Sequence, residues 1–298
     1  MEEIIVVFEN AYAYRALVAS VFVGVTCGVL GCFIVLRNMA MIGDALSHAV
    51  LPGIVVGFLV AGYSLFAFFG GAVAAGVLTA VLITLIQRNV RTKPEAAIGI
   101  VFTSMFALGV MGISYITRTN QVHLDLKDFL FGNVLGISNY DLVLTGGIMV
   151  FVVLCTVFFF RYLFLTTFDP VVAKTMGISS SAVHYFLMLL LSFSVVASLQ
   201  SVGVILVVAM LVIPASTAYL LTDNLRWMLF WAAFLGVVAT IAGLLIAVLI
   251  NTTPGPAMTL VAAVLYVLAV FFSPRRGLVL NRFRRKLKPT SNPTHEGS

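Results

Sequence analysis

Residues 227–250 read WMLFWAAFLGVVATIAGLLIAVLI, a stretch that contains no charged side chain. A helix of this length rises about 36 Å, which is enough to cross the ~30 Å hydrocarbon layer of a bilayer. The whole chain has the same character, because apolar residues make up 61% and charged residues only 9% of its 298 positions. An average soluble domain is about 25% charged. The composition excludes a water-soluble protein and predicts an all-α membrane protein.

Nine apolar segments predict a polytopic transmembrane helix bundle. They lie roughly at 16–36, 39–61, 64–86, 97–117, 143–165, 184–199, 202–221, 227–250 and 257–272. Because the sixth is short and the second carries ionisable groups, eight to ten spans remain compatible with the sequence. The pairs Gly24/Gly28 and Gly53/Gly57 form G-x-x-x-G patterns, which predict closely packed helices.

Basic residues predict the orientation, since cytoplasmic loops are enriched in lysine and arginine. The loop at 88–95 carries three such residues, and the stretch after the ninth segment carries seven. With nine alternating spans, both fall on the cytoplasmic side, together with the C-terminus. We therefore expect a transmembrane domain at 1–275 and a basic, disordered cytoplasmic tail at 276–298. This tail suits anionic lipid headgroups rather than nucleic acid, because aromatic residues do not alternate with its charges.

The stretch RNMAMIGDALSHAVLPG at 37–53 contains the most informative ionisable pair, Asp44 and His48. At helical spacing these residues share one face, with Cβ atoms about 5–6 Å apart, so one metal ion could bridge them. Carboxylate and imidazole groups are suitable ligands for manganese, iron or zinc. Pro52 has no N–H group, so the carbonyl of His48 should lose its helical partner. Broken helices of this kind form ion sites in many transporters.

A structural interpretation of the same pair stays open, in which Asp44 caps a helix that starts at Ala45 and only pairs with His48. An ionisable residue within a span is costly and favours a functional role, so we predict metal ligation by Asp44 and His48. Two protein ligands are few. Others would come from elsewhere in the chain, from water or from a partner copy.

The other polar groups give weaker signals. We expect His184 at the membrane interface, and His123 with Asp125 and Asp128 either in a solvated loop or in a weak metal-collecting cluster. Hydroxyl residues interrupt the sixth and seventh segments, where they either bond their own backbone or line a pathway. These residues are Ser192, Ser194, Ser198, Ser201, Ser216 and Thr217.

The cytoplasmic loop TTFDPVVAKTMGISSSA at 166–182 carries signals for one short helix. Asp169 suits the N-cap, Pro170 the first helical position, and Gly177 the position just past the C-terminus. The predicted helix covers about 170–176 and carries Val172, Ala173 and Met176 on one side. Such a helix either lies on the membrane or docks into a partner protein.

Five stretches together resemble the permease family of ATP-binding-cassette (ABC) importers for manganese, zinc and iron, the ABC-3 family. The resemblance covers about residues 15–275. The stretches are RNMAMIGDALSHAVLPG at 37–53, PEAAIGIVFTSMFALG at 94–109, LFGNVLGIS at 130–138, FDPVVAKTMGI at 168–178 and VGVILVVAMLVIPASTAYLLTDNL at 202–225.

This resemblance implies a multi-pass permease of the bacterial cytoplasmic (inner) membrane that works as a homodimer or a pair of related chains. It also implies cytoplasmic ABC ATPase subunits and an extracytoplasmic metal-binding protein as partners. Asp44 and His48 fall on the family's metal-associated D-x-x-x-H pattern. The stretch 168–178 corresponds to the segment that couples to the ATPase. Its expected coupling positions are Asp169, Pro170, Val171, Val172, Ala173, Lys174 and Gly177.

The chain lacks the pattern G-x-x-x-x-G-K-[ST], so ATP hydrolysis must reside in a partner and the chain is not expected to be an enzyme. No permanently bound cofactor is expected, only the transported manganese, zinc or iron ion. Two alternatives are an ABC permease for a chelated metal and a proton-coupled secondary transporter with Asp44 and His48 as the proton relay. A membrane metalloenzyme is disfavoured, since H-E-x-x-H is missing and the pair offers too few ligands.

Overall fold

The structure is a computed structural model that describes residues 11–62, 64–91, 93–120 and 137–273. These ranges contain twelve α-helices and no β-strand. The helices are α1 Ala11–Leu36, α2 Met41–Ala49, α3 Leu51–Ala61, α4 Leu65–Asn89, α5 Pro94–Asn120, α6 Asn139–Phe158, α7 Phe160–Phe168, α8 Pro170–Thr175, α9 Ser180–Val202, α10 Val204–Leu221, α11 Leu225–Ile250 and α12 Pro254–Phe272.

Nine segments in the described part of the chain are long and apolar enough to cross a membrane. Eight of them are single helices, and the second span consists of α2 and α3 in succession. Helices α7 and α8 are too short to cross and connect the fifth span to the sixth. The prediction of an all-α, polytopic bundle with nine spans is confirmed.

Helix α1 lies at the centre of the bundle and packs against α6, α10 and α11. Its side chains Cys27, Leu30 and Phe33 are completely buried, as are Leu187 and Leu191 of α9. In contrast, α6 and α12 expose much of their apolar surface, which is the expected state of helices that face lipid. The chain therefore buries α1 and α9 as a core and leaves α6 and α12 on the outside.

Small residues allow the closest helix crossings. A Cβ atom on Gly28 of α1 would lie 2.8 Å from the carbonyl oxygen of Ala232 in α11. A Cβ atom on Gly53 of α3 would overlap the carbonyl oxygen of Gly71 in α4. Both G-x-x-x-G patterns therefore mark real backbone contacts, as the sequence predicted.

Contacts between span ends agree with strict alternation of the nine spans. Arg37, after the first span, donates to Thr166, after the fifth. At the opposite side, Phe66 at the start of the third span lies 5.8 Å, ring centre to ring centre, from Tyr140 at the start of the fifth. The predicted tail at 276–298 lies outside the described residues, as does the loop with His123, Asp125 and Asp128.

Candidate functional site

A turn with left-handed backbone sets the direction of α2. Asn38 follows the end of α1 with φ of +56°, a conformation that asparagine tolerates better than most residues. Its amide donates to the carbonyl of Val35, and the amide of Met39 donates to the carbonyl of Ile34. These two hydrogen bonds close the C-terminus of α1 in a Schellman motif. Helix α2 therefore starts from a fixed point on the central helix.

Asp44 and His48 lie one turn apart on α2. His48 Nε2 is 3.6 Å from Asp44 Oδ1, and the side chains are 20% and 47% exposed, respectively. The interpretation of Asp44 as an N-cap is wrong, because α2 starts at Met41 and places Asp44 in its first turn. There the carboxylate faces the positive end of the helix dipole. The two groups are thus close enough to share one ion.

Two phenyl rings of α5 enclose the imidazole of His48. The ring centres of Phe102 and Phe106 each lie 5.4 Å from that of His48. The phenyl rings limit the rotation of the imidazole and shield it from water, whereas the Asp44 carboxylate is more open. An ion would therefore approach the pair from the side of Asp44.

The second span is interrupted directly after the pair. Helix α2 ends at Ala49, the buried Val50 forms the junction, and α3 starts at Leu51 with Pro52 in its first turn. Proline suits this position because its missing N–H would be unpaired there anyway. The break therefore precedes Pro52 by two residues. As expected, the carbonyl of His48 lacks a helical partner four residues on, and it accepts the amide of Val50 instead.

A third strong ligand does not join the pair. Among the described residues, no cluster of three or more His, Cys, Asp or Glu side chains could hold a metal ion. The neighbouring Ser47 is buried and donates its hydroxyl to the carbonyl of Gly43. The described residues therefore offer only this pair, an open arrangement of one carboxylate and one imidazole.

The other polar candidates lie away from this pair. His184 Nε2, in the first turns of α9, is 3.2 Å from Thr84 Oγ1 of α4, which supports its interpretation as an interfacial residue. The four serines in the second half of α9 are buried, namely Ser192, Ser194, Ser198 and Ser201. Ser201 Oγ lies 2.9 Å from Thr145 Oγ1 of α6, and Ser198 Oγ lies 4.0 Å from Cys27 Sγ of α1. This burial favours a role in packing over the lining of a pathway.

The short helix predicted between the fifth and sixth spans is α8. The Asp169 carboxylate accepts the amide of Val172 at 2.9 Å, so Asp169 is the N-cap, and Pro170 occupies the first position. Gly177 has φ of +77° just beyond the C-terminus, as predicted. Helix α8 ends at Thr175, one residue before the predicted boundary.

The exposed side of α8 is more apolar than the sequence suggested. Val171 is 72% and Met176 is 55% exposed, and Val172 is exposed as well. Only Ala173, of the three residues expected on one side, faces the protein, where it is completely buried. Val171, Val172 and Met176 therefore form an exposed apolar surface next to the exposed Lys174.

The described residues form nine spans, with an ionisable pair in an interrupted span and a capped helix outside the spans, and they define a multi-pass membrane protein. The sequence matches the model of the ABC 3 transport family over residues 9–273. The chain belongs to this family.

Named relatives and a solved structure agree with this membership. The manganese transport system membrane protein MntC of Halalkalibacterium halodurans is 49% identical over 276 residues, which cover 93% of this chain and 92% of the relative. The manganese import system permease protein ScaB of Streptococcus parasanguinis is 41% identical over 89% and 92% of the two chains. The structure of PsaBC from Streptococcus pneumoniae in complex with Fab superimposes with a TM-score of 0.83 at 38% identity, covering 96% and 99%.

The predicted class is confirmed by this membership. The chain is a permease subunit of an ABC importer for divalent transition metal ions and is not itself an enzyme. ATP hydrolysis belongs to a separate subunit. The proton-driven secondary transporter is therefore disfavoured. The assignment of Asp44, His48 and the residues of α8 to their roles stays a prediction.

Proposed function

We propose that this chain carries manganese ions into the cytoplasm, with Asp44 and His48 as transient ligands. The observation that carries the proposal is the 3.6 Å separation of Asp44 Oδ1 and His48 Nε2 in an interrupted span. Relatives that are 39–49% identical are named for manganese transport or import, which favours manganese over zinc and iron.

The chemistry of the pair suits such a role. A carboxylate oxygen and an imidazole nitrogen bind manganese, but manganese stands at the weak end of the first-row affinity order. Two protein ligands hold the ion loosely, so that it can be released. The phenyl rings of Phe102 and Phe106 exclude water from one side of His48, which strengthens its short-lived interaction with the ion.

The incomplete ligand set favours a homodimer. A two-fold axis next to α2 would bring a second Asp44 and a second His48 to the same ion, because a symmetric interface uses the same surface twice. The 47% exposure of the Asp44 side chain leaves it accessible to such a partner. An extracytoplasmic metal-binding protein would deliver the ion to the outer end of this interface.

Helix α8 is the proposed contact with the ABC ATPase in the cytoplasm. Its exposed Val171, Val172 and Met176 would be buried on docking, and Lys174 would lie at the rim of the contact. The cap at Asp169 and the left-handed Gly177 hold the helix at a fixed angle. A rigid lever of this kind can transmit movement of the ATPase to the spans.

The test is uptake by the permease purified with its ATPase and reconstituted in vesicles. We expect ATP-dependent uptake of manganese by the wild type, with about one bound ion per two permease chains in the purified complex. Asp44→Asn removes the carboxylate charge and His48→Ala removes the imidazole nitrogen, and each should lower uptake at least about tenfold, which corresponds to a loss of about 1.4 kcal/mol of interaction with the ion. His184→Gln is the matched control and should transport normally, because glutamine can still bond Thr84.

Other outcomes decide between the alternatives. Normal ATP-dependent uptake by both ligand variants would refute the metal site and leave the family assignment intact. Uptake of a metal chelate in preference to the free ion would favour the chelate permease, and uptake without ATP would favour the secondary transporter.

A further inference from the structure

Arg37 joins the central helix to the helix before α8. It follows the last residue of α1, and its guanidinium reaches across to α7. Nη2 donates to Thr166 Oγ1 at 2.8 Å, and Nε donates to Thr167 Oγ1 at 3.1 Å. Two donors of one planar group thus bind two neighbouring hydroxyls, a fork that arginine makes and lysine cannot.

Both hydroxyls are themselves fixed. Thr166 Oγ1 donates to the carbonyl of Tyr162 at 2.8 Å, and Thr167 Oγ1 donates to the carbonyl of Leu163 at 2.6 Å. Each threonine therefore uses its single hydrogen within α7 and its lone pairs for Arg37. Both hydroxyls of the link between α1 and α7 therefore have a donor and an acceptor partner, which restricts their rotation.

The environment explains why Arg37 is tolerated here, although no carboxylate of the described residues accepts a hydrogen bond from it. Arg37 is half-buried, and both hydrogen bonds go to uncharged groups. Burial lowers the pKa of the guanidinium from its ordinary value, although arginine stays charged in proteins. The side chain lies at the C-terminal ends of α1 and α7, whose dipoles present partial negative charge.

The link connects the two regions to which the proposed function gives roles. On one side, Arg37 is followed by the Asn38 turn and then by α2, which carries Asp44 and His48. On the other side, Thr167 lies two residues before Asp169, the N-cap of α8. The two hydrogen bonds of Arg37 and two short stretches of chain therefore join the candidate metal pair to the candidate ATPase contact.

We propose that Arg37 is a positioning residue that transmits movement of α8 to α2 during transport, an inference that rests on the proposed function of both helices. When α8 moves, the last turn of α7 moves with it. The hydrogen bonds of Arg37 to Thr166 and Thr167 then displace the end of α1, and the turn at Asn38 displaces α2. Loss of these two hydrogen bonds should leave the candidate metal pair and the candidate ATPase contact intact but remove the coupling between them.

The test compares manganese uptake with ATP hydrolysis in the same vesicles, using the permease–ATPase complex. The variants are Arg37→Lys, which keeps the charge, and the double variant Thr166→Val with Thr167→Val, which keeps Arg37 and the shape of α7. We expect manganese transported per ATP hydrolysed to fall about tenfold in both, since hydrogen bonds from a charged donor are lost. Bound manganese and retention of the ATPase should stay at wild-type levels.

Arg161→Gln, on the exposed side of α7, is the matched control and should behave as wild type.

Three results would overturn the proposal. The first is an unchanged ratio of transport to hydrolysis in both variants. The second is a parallel loss of transport, hydrolysis and ATPase retention, which would indicate that Arg37 only supports the fold. The third is the same uncoupling in Arg161→Gln. Failure of the proposed function itself would look different, because the wild type would then lack ATP-dependent uptake or Asp44→Asn would transport normally.

Discussion

His48 shows how one side chain in the bundle obtains its properties from distant residues. Phe102 and Phe106 belong to a different span, yet they surround its ring on two sides. Asp44, on the same helix as His48, is more than twice as exposed. The pair therefore combines one shielded imidazole and one open carboxylate, the arrangement that the proposed entry of an ion requires.

The crossing of α3 and α4 gives a prediction for a single residue. A Cβ atom on Gly71 would overlap the carbonyl oxygen of Gly53, so Gly71→Ala should push the second span away from the third. Overpacking of this kind costs about 1–3 kcal/mol. We expect a lower melting temperature of the detergent-purified permease, measured by loss of the monodisperse gel-filtration peak after heating.

The adjacent glycine is the control for this prediction. A Cβ atom on Gly70 meets nothing within 4 Å. Gly70→Ala should leave stability unchanged or raise it by up to about 1 kcal/mol, because alanine favours the helix. Equal melting temperatures for the two variants would mean that the helices separate easily and that the crossing is not tight.

At the scale of single residues, the sequence predicted the partners within a helix but not those between helices. The spacing of Asp44 and His48 is four residues, so helical geometry alone places them on one face. Phe102 is more than fifty positions away from His48, and nothing in its own segment distinguishes it from other apolar residues. The contact becomes visible only when α2 and α5 are packed together.

At the scale of elements, the junction of α2 and α3 divides one span into two helices that make different contacts. Helix α2 carries the ionisable pair and packs against α5. Helix α3 carries the glycines that pack tightly against α4. The break at Val50 thus separates the helix that carries the pair from the helix that anchors the span, as in transporters with ion sites on interrupted helices.

Helix α8 gives a prediction at this scale. Val171 is 72% exposed at the proposed ATPase contact, so Val171→Glu would place a charge in an apolar interface without disturbing the fold of the permease. Burial of an unpaired charge is strongly unfavourable. We expect the variant to be inserted normally but to lose most of its ATPase when the complex is purified through a tag on the permease.

Val90→Glu is the matched control for Val171→Glu. Val90 is also an exposed valine, 51% exposed at the end of α4, and it lies in another loop predicted to be cytoplasmic. This variant should retain the ATPase. Full retention by Val171→Glu would contradict the assignment of α8, and loss by both variants would indicate a broader contact surface.

Local signals predicted the ends of α8 well, because caps depend on neighbouring residues only. Asp169 and Gly177 act within one turn of the residues they cap. The break in the second span was predicted less well. Pro52 indicated an interruption, but its suitability for a first helical turn moved the junction to Val50. The exposure of Val172 and Met176 depends on neighbouring helices, which the loop sequence does not specify.

The whole molecule follows most directly from composition. A chain that is 61% apolar must bury its backbone polar groups in helices within a bilayer, so nine apolar segments became nine spans. Contacts at the ends of the spans support their alternation. Ser273, after the ninth span, donates its hydroxyl to the carbonyl of Leu220, near the end of the seventh. The nine spans of the described residues are odd in number, which places Ala11 and Ser273 on opposite sides.

The orientation of this bundle gives the last prediction. The positive-inside rule places the loop at 88–95 in the cytoplasm, and five spans separate it from the connection between α11 and α12. Cysteines introduced by Arg91→Cys and Thr252→Cys, both at exposed positions, should therefore lie on opposite sides of the membrane. A charged, membrane-impermeant maleimide added to intact cells should label only Thr252→Cys, and Arg91→Cys should react only after permeabilisation.

The native thiols provide the background for this measurement. Cys27 and Cys32 are completely buried and Cys155 is partly buried within α6, so the unmodified chain should react weakly. Labelling of both variants in intact cells would require an even number of crossings between residues 91 and 252 and would contradict the alternation of spans. Labelling of Arg91→Cys alone would keep the nine spans but invert them, which would place α8 outside the cell and remove it from the reach of any ATPase.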